Sequence, residues 1–162
     1  MEIIKEAANK NIRAVRDLIE QGVNIDIQNG MGWTALMEAV YNNDIEMVRV
    51  LIAAGADINI RQYKRRRDAL LIAASKGYCL MVTTLLDANA NINTEDISCN
   101  NALNLSPLNE LRLIKTLIEA GATIDIRNKE LMAVLYENNI MKPKIKMMKN
   151  LDLIDSSEVI SY

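Results

Sequence analysis

The sequence predicts an all-α repeat solenoid, a stack of helix–turn–helix units each followed by an extended loop. Two phrases, recurring in step, predict it. The first runs Leu18 to Asp26, Leu51 to Asn59, Leu85 to Asn93 and Leu117 to Asp125, with starts 33, 34 and 32 residues apart. The second is Thr34-Ala35-Leu36, Asp68-Ala69-Leu70 and Asn101-Ala102-Leu103, at nearly the same step. Composition agrees. Five Tyr, one Trp and no Phe leave the core to small aliphatic side chains, which suit closely layered helices.

Each column has a physical reason. Val15, Val48, Val82 and Ile114 stand three residues before the Leu column, so both positions lie on one helix face. That stripe makes the second helix of each unit. It ends at Gly22, Gly55, Asn89 and Gly121, residue types that tolerate the left-handed conformation closing a helix. Thr34, Asp68 and Asn101 carry side-chain acceptors that cap the first helix of a unit. Ala39-Val40 and Ala73-Ala74, one turn on, are small enough to let paired helices approach. A single unit cannot bury its apolar face, so stability must come from stacked neighbours.

Gly32-Trp33-Thr34-Ala35-Leu36-Met37-Glu38-Ala39-Val40 and Gly55-Ala56-Asp57-Ile58-Asn59 resemble the opening and closing phrases of the ankyrin repeat family. The likeness covers residues 1–128 well and 129–151 weakly. It implies an ankyrin-type solenoid with β-hairpin-like loops, here called fingers. The chain departs from the family where Ala35, Ala69 and Ala102 replace its Pro, and where Met37, Leu71 and Asn104 replace its His. In the family that His helps tie neighbouring repeats, so its loss implies a less stable array. Five repeats are expected, at 1–29, 30–62, 63–95, 96–128 and a degenerate 129–151. The first acts as an N-terminal cap, and the first helix of the fourth ends irregularly near Ser106-Pro107. The fifth takes Leu131 to Asn139 as first helix, with Pro143 opening the second and Ile145, Met147 and Met148 as its core. Residues 152–162 form a tail or a capping turn.

Catalytic chemistry is not expected. The chain has no His, which removes imidazole catalysis, Ser-His-Asp triads and most zinc sites. Cys79 falls on a helix, and Cys99 falls in a loop without charged neighbours. Gly30-Met31-Gly32 is too short for a phosphate loop. No cofactor, metal or small-molecule substrate is anticipated. Met1 to Glu6 does not read as a signal peptide, no apolar run spans a membrane, and two isolated thiols favour a reducing compartment, so the cytoplasm is the default. Export by a route unreadable in sequence stays open.

The resemblance implies a protein-interaction scaffold that binds along a concave face of loop tips and first helices. The candidate contact residues on that face are Met31, Trp33, Tyr41, Asn42, Arg61, Tyr63, Lys64, Arg66 and Lys76. Trp33 leads them, because Trp and Tyr beside basic groups are typical interface anchors. The alternative for Trp33 is packing on the neighbouring finger. Five of the seven residues Arg61 to Arg67 are basic. With Glu95-Asp96 on the next finger, the groove is expected to be bipolar, which disfavours a nucleic-acid backbone. Self-association through weakly capped ends is the alternative function, and nucleic-acid or anionic-surface binding through 61–67 a minor one. The protein is expected to be a monomer.

Overall fold

A computed structural model describes residues 1–140. Pro143, Ile145, Met147, Met148 and the tail at 152–162 lie outside the described residues. The described residues fall into two compact bodies, 1–124 and 125–140.

The first body holds eight helices: α1 (Glu2–Ala8), α2 (Ile12–Glu20), α3 (Ala35–Tyr41), α4 (Ile45–Ala53), α5 (Ala69–Ser75), α6 (Cys79–Asp87), α7 (Ala102–Leu105) and α8 (Leu111–Glu119). The odd-numbered helices pack in sequence, α1 on α3, α3 on α5 and α5 on α7. The even-numbered helices form a second row in the same order. No strand is present among the described residues. This is the all-α repeat solenoid expected.

The sequence columns explain the elements. Val15, Val48, Val82 and Ile114 are fully buried, as are Leu51, Leu85 and Leu117. Gly22, Gly55 and Gly121 adopt φ of +74°, +87° and +90°, and Asn89 does the same at +66°. Thr34, Asp68 and Asn101 accept the amides of Met37, Leu71 and Asn104 at 3.2, 2.9 and 3.0 Å, capping α3, α5 and α7. Pro107 lacks an amide to continue a helix, and α7 stops after four residues with Ser106 extended at ψ 139°.

The positions where the family carries His are filled differently. Met37 and Leu71 are buried in the core. Neighbouring repeats are tied at the closing phrase, whose two acceptors divide the work. Asn24, Asp57 and Asn91 each accept the amide two residues on, closing a local turn. Asp26, Asn59 and Asn93 instead reach across to the next repeat, accepting the amides of Asp57, Asn91 and Thr123 at 2.9, 3.1 and 2.9 Å. Each such bond contributes roughly 1 kcal/mol.

In the second body the described residues form α9 (Lys129–Glu137), capped by Asn128 through the Leu131 amide, with Leu131 and Leu135 buried.

Candidate functional site

Three fingers project between a second helix and the next first helix. Each closes on one backbone bond: Asn29 N–H to Trp33 C=O, Gln62 N–H to Arg67 C=O, and Asp96 N–H to Asn100 C=O, all 3.0 Å. The residue that opens each finger also organises its turn. Asn29 accepts the amides of Met31 and Trp33, Gln62 those of Lys64 and Arg65, and Asp96 those of Ser98 and Asn100. The second finger is one residue longer than the others, and it is the one with the longer Gln side chain.

Successive fingers are stitched by single backbone bonds, Tyr63 N–H to Met31 C=O at 3.1 Å and Ile97 N–H to Arg65 C=O at 3.0 Å. The first seam is so tight that a Cβ at Gly32 would lie 2.5 Å from the Tyr63 nitrogen. Gln28 bridges its base, donating to the carbonyls of Gly32 (2.7 Å) and Arg61 (3.1 Å), while its own carbonyl accepts the Tyr63 hydroxyl at 3.4 Å.

Behind this seam lies a groove of about 630 Å³. Finger one contributes Gly30, Met31 and Trp33, and α3 contributes Tyr41. Finger two contributes Gln62, Tyr63, Lys64, Arg65 and Arg67. Ile72, Ser75 and Lys76 come from α5 and its C-cap, at the i, i+3, i+4 spacing of one helix face. Trp33 meets Tyr41 edge to face, with ring centroids 5.5 Å apart and planes at 80°. The Lys76 ammonium sits 4.2 Å from the centroid of the Tyr41 ring. Met31 and Tyr63 remain 63% and 62% exposed, so two large apolar side chains at the rim have little to cover them.

The basic run is not uniformly free. Arg67 donates to the Asp96 carboxylate through Nε at 3.1 Å and Nη2 at 3.0 Å, in a pair largely shielded from solvent. Burial pushes the Asp96 carboxyl up. The amides of Asn100 and Ser98 and the Arg67 guanidinium outweigh that and hold it below the ordinary carboxylate range. The acidic third finger expected from Glu95-Asp96 therefore reduces to Glu95. Asp96 is buried and faces Arg67, so the groove is not bipolar in the way the sequence suggested. Asp68, by contrast, is pushed up by burial despite its capping bond to Leu71.

Of the residues singled out from sequence, Met31, Trp33, Tyr41, Tyr63, Lys64 and Lys76 meet in the groove. Three others stand outside its lining. Asn42 caps the end of α3, and its amide donates to the Ala8 carbonyl at 3.2 Å. Arg61 turns its Nε onto the Arg66 carbonyl at 2.8 Å. Arg66 itself is an exposed residue at φ +55°. Trp33 meets α3 of its own repeat through the Tyr41 ring. Sequence reasoning missed Gln62 and Ile72. The helical spacing from Ile72 to Ser75 and Lys76 could have found the latter. Among the described residues, no group of three His, Cys, Asp or Glu side chains could hold a metal ion, and no helix is long and apolar enough to cross a membrane.

A family model described as ankyrin repeats in three copies matches residues 3–96. Among curated proteins, the chain is 35% identical over 89 residues to the bovine ankyrin repeat and SOCS box protein 3, covering 54% of this chain and 17% of that protein. It is 34% identical over 119 residues to the mouse B-cell lymphoma 3 protein homolog, covering 72% and 27%. To the putative ankyrin repeat protein FPV031 of fowlpox virus it is 32% identical over 119 residues, covering 72% and 35%. The chain thus spans between 17% and 35% of the length of these relatives.

Proposed function

This chain belongs to the ankyrin repeat family, and we propose that it is a protein-binding module whose partner sits in the groove between fingers one and two. Ankyrin repeats are generally protein–protein interaction modules. One observation carries the choice of site: Trp33, Tyr41 and Tyr63 line the groove together with Lys64 and Lys76, while the apolar core lies elsewhere in buried aliphatic columns. Large aromatics beside cations are what interface anchors are made of. The groove is built by backbone bonds within and between fingers, so it is formed before a partner arrives and little ordering entropy is lost on binding. We propose no catalytic step and no cofactor for the module.

The test is affinity capture from native lysate with wild type and a Trp33→Ala, Tyr63→Ala variant, its fold checked by circular dichroism. A protein retained by wild type should fall at least about tenfold with the folded variant, the loss typical of removing a central aromatic anchor. Equal retention by both would move the binding site elsewhere.

A further inference from the structure

We infer that the groove takes an acidic peptide segment carrying one bulky apolar side chain. This deepens the proposed binding site and rests on it. The inference comes from sorting the groove's charges into those already paired and those left over. Arg67 is occupied by Asp96. Lys64 and Arg65 are exposed at the tip of finger two, and Lys76 is exposed at the end of α5. No Asp or Glu lines the groove. The whole chain carries a formal charge of −2, so this cationic rim runs against its average. Local charge of one sign around an apolar floor selects a partner of the opposite sign and steers its approach.

The floor supplies the second half of the recognition. Trp33 and Tyr41 present an edge-to-face aromatic corner, and Lys76 already lies on the Tyr41 ring. An apolar side chain entering this corner would bury against the rings and place flanking carboxylates beside Lys76 and finger two. A volume of about 630 Å³ suits one large side chain with its neighbours. A nucleic-acid strand is less well matched, because the cations surround one apolar site and finger three continues with the exposed carboxylate of Glu95 rather than with more positive charge.

Trp33 is the only tryptophan in the chain, so its emission reports on the groove alone. The probe is a short synthetic peptide with a central Leu flanked on both sides by Asp and Glu. Three comparison ligands share its length: Lys and Arg flanks, a central Gly in place of Leu, and a single-stranded oligouridylate. The acidic Leu peptide should shift Trp33 emission saturably and weaken about tenfold as salt rises from about 50 to about 300 mM. The central Gly should weaken it by a similar factor, and the basic peptide should not bind. Lys64→Glu with Arg65→Glu should abolish the shift. Lys5→Glu with Arg13→Glu, the same charge change at exposed positions on α1 and α2, should leave it within about twofold. Absence of a saturable shift, equal binding by the basic or Gly peptide, or tighter binding by the oligonucleotide would each overturn the inference. If partner capture still depends on Trp33 and Tyr63 while the acidic peptide fails, only the partner chemistry is wrong. If capture ignores those residues, the groove itself is the wrong site.

Discussion

The two finger seams share one backbone device and use their side chains for opposite ends. Between fingers one and two, the Tyr63 amide bonds the Met31 carbonyl, and the surrounding side chains are aromatic, exposed and cationic. Between fingers two and three, the Ile97 amide bonds the Arg65 carbonyl in the same manner, but the charges are turned inward into the Arg67–Asp96 pair. Cohesion at the second seam draws on a shielded ion pair. At the first it draws on close backbone approach at Gly32 and on the Gln28 bridge, which also holds the Tyr63 hydroxyl, while the Met31 side chain stays exposed. On the proposed function, the first seam is the one left to a partner, held mainly by backbone bonds and by Gln28.

The first seam should be the more sensitive to a single added methyl. Gly32→Ala places a side chain at φ +80° and 2.5 Å from the Tyr63 nitrogen, so both conformational strain and overlap oppose it. The two effects together should cost about 2–4 kcal/mol by urea denaturation. Gly55→Ala has a similar φ of +87° with nothing within 4 Å, and should cost only about 1 kcal/mol. Equal losses in the two variants would mean that the seam yields and that the close approach holds nothing.

The second seam should be the one that responds to acid. Asp96 lies below its ordinary value of 3.8 in the folded protein. Its contribution is therefore complete above that value and is lost as pH falls through the lower folded-state value. Asp68 has the opposite sign. Burial raises it above 3.8, so it favours the fold most below that value and loses this advantage as pH rises through its raised value. Asp96→Asn keeps a side-chain oxygen for the Ser98 and Asn100 amides but removes the charge facing Arg67. It should lower stability at neutral pH by about 1–2 kcal/mol, and the gap to wild type should close as pH drops below about 4. A gap independent of pH would show that the carboxylate's charge is not what holds fingers two and three together.

What was legible in the sequence divides along the same line as the seams' construction. The caps at Thr34, Asp68 and Asn101 and the left-handed positions at Gly22, Gly55, Asn89 and Gly121 depend on neighbours within a few residues, so residue type alone announces them. The same holds for the early end of α7 at Pro107. The Arg67–Asp96 pair was not legible. Its partners are 29 residues apart, and in sequence both look like solvated loop charges. Asn29, Gln62 and Asp96 perform one task with three different side chains, which hides the column from inspection by residue type. The basic run marks Arg61 by residue type, but its Nε bond to the Arg66 carbonyl depends on the path of the finger and is not visible in sequence. Met31, Trp33, Tyr63 and Lys64 thus came from recognisable residue types on the fingers and Tyr41 and Lys76 from the first-helix pattern, whereas Gln62 and Ile72 came from the geometry.

The smallest expected effect tests whether the side chains of the first seam are indeed free for a partner. Lys76 over Tyr41 joins α3 to the end of α5 there, and Tyr41 is 45% exposed. A cation–π contact in so open a position contributes about 0.5–1 kcal/mol. A double-mutant cycle with Tyr41→Leu and Lys76→Gln, followed by urea denaturation, should return a coupling energy near the lower end of that range. Coupling well above about 1 kcal/mol would make the pair a structural clamp, and a partner would have to break it to enter. Coupling near the expected value leaves Lys76 able to exchange the ring for a carboxylate at little cost to the fold, as a seam kept open for binding requires.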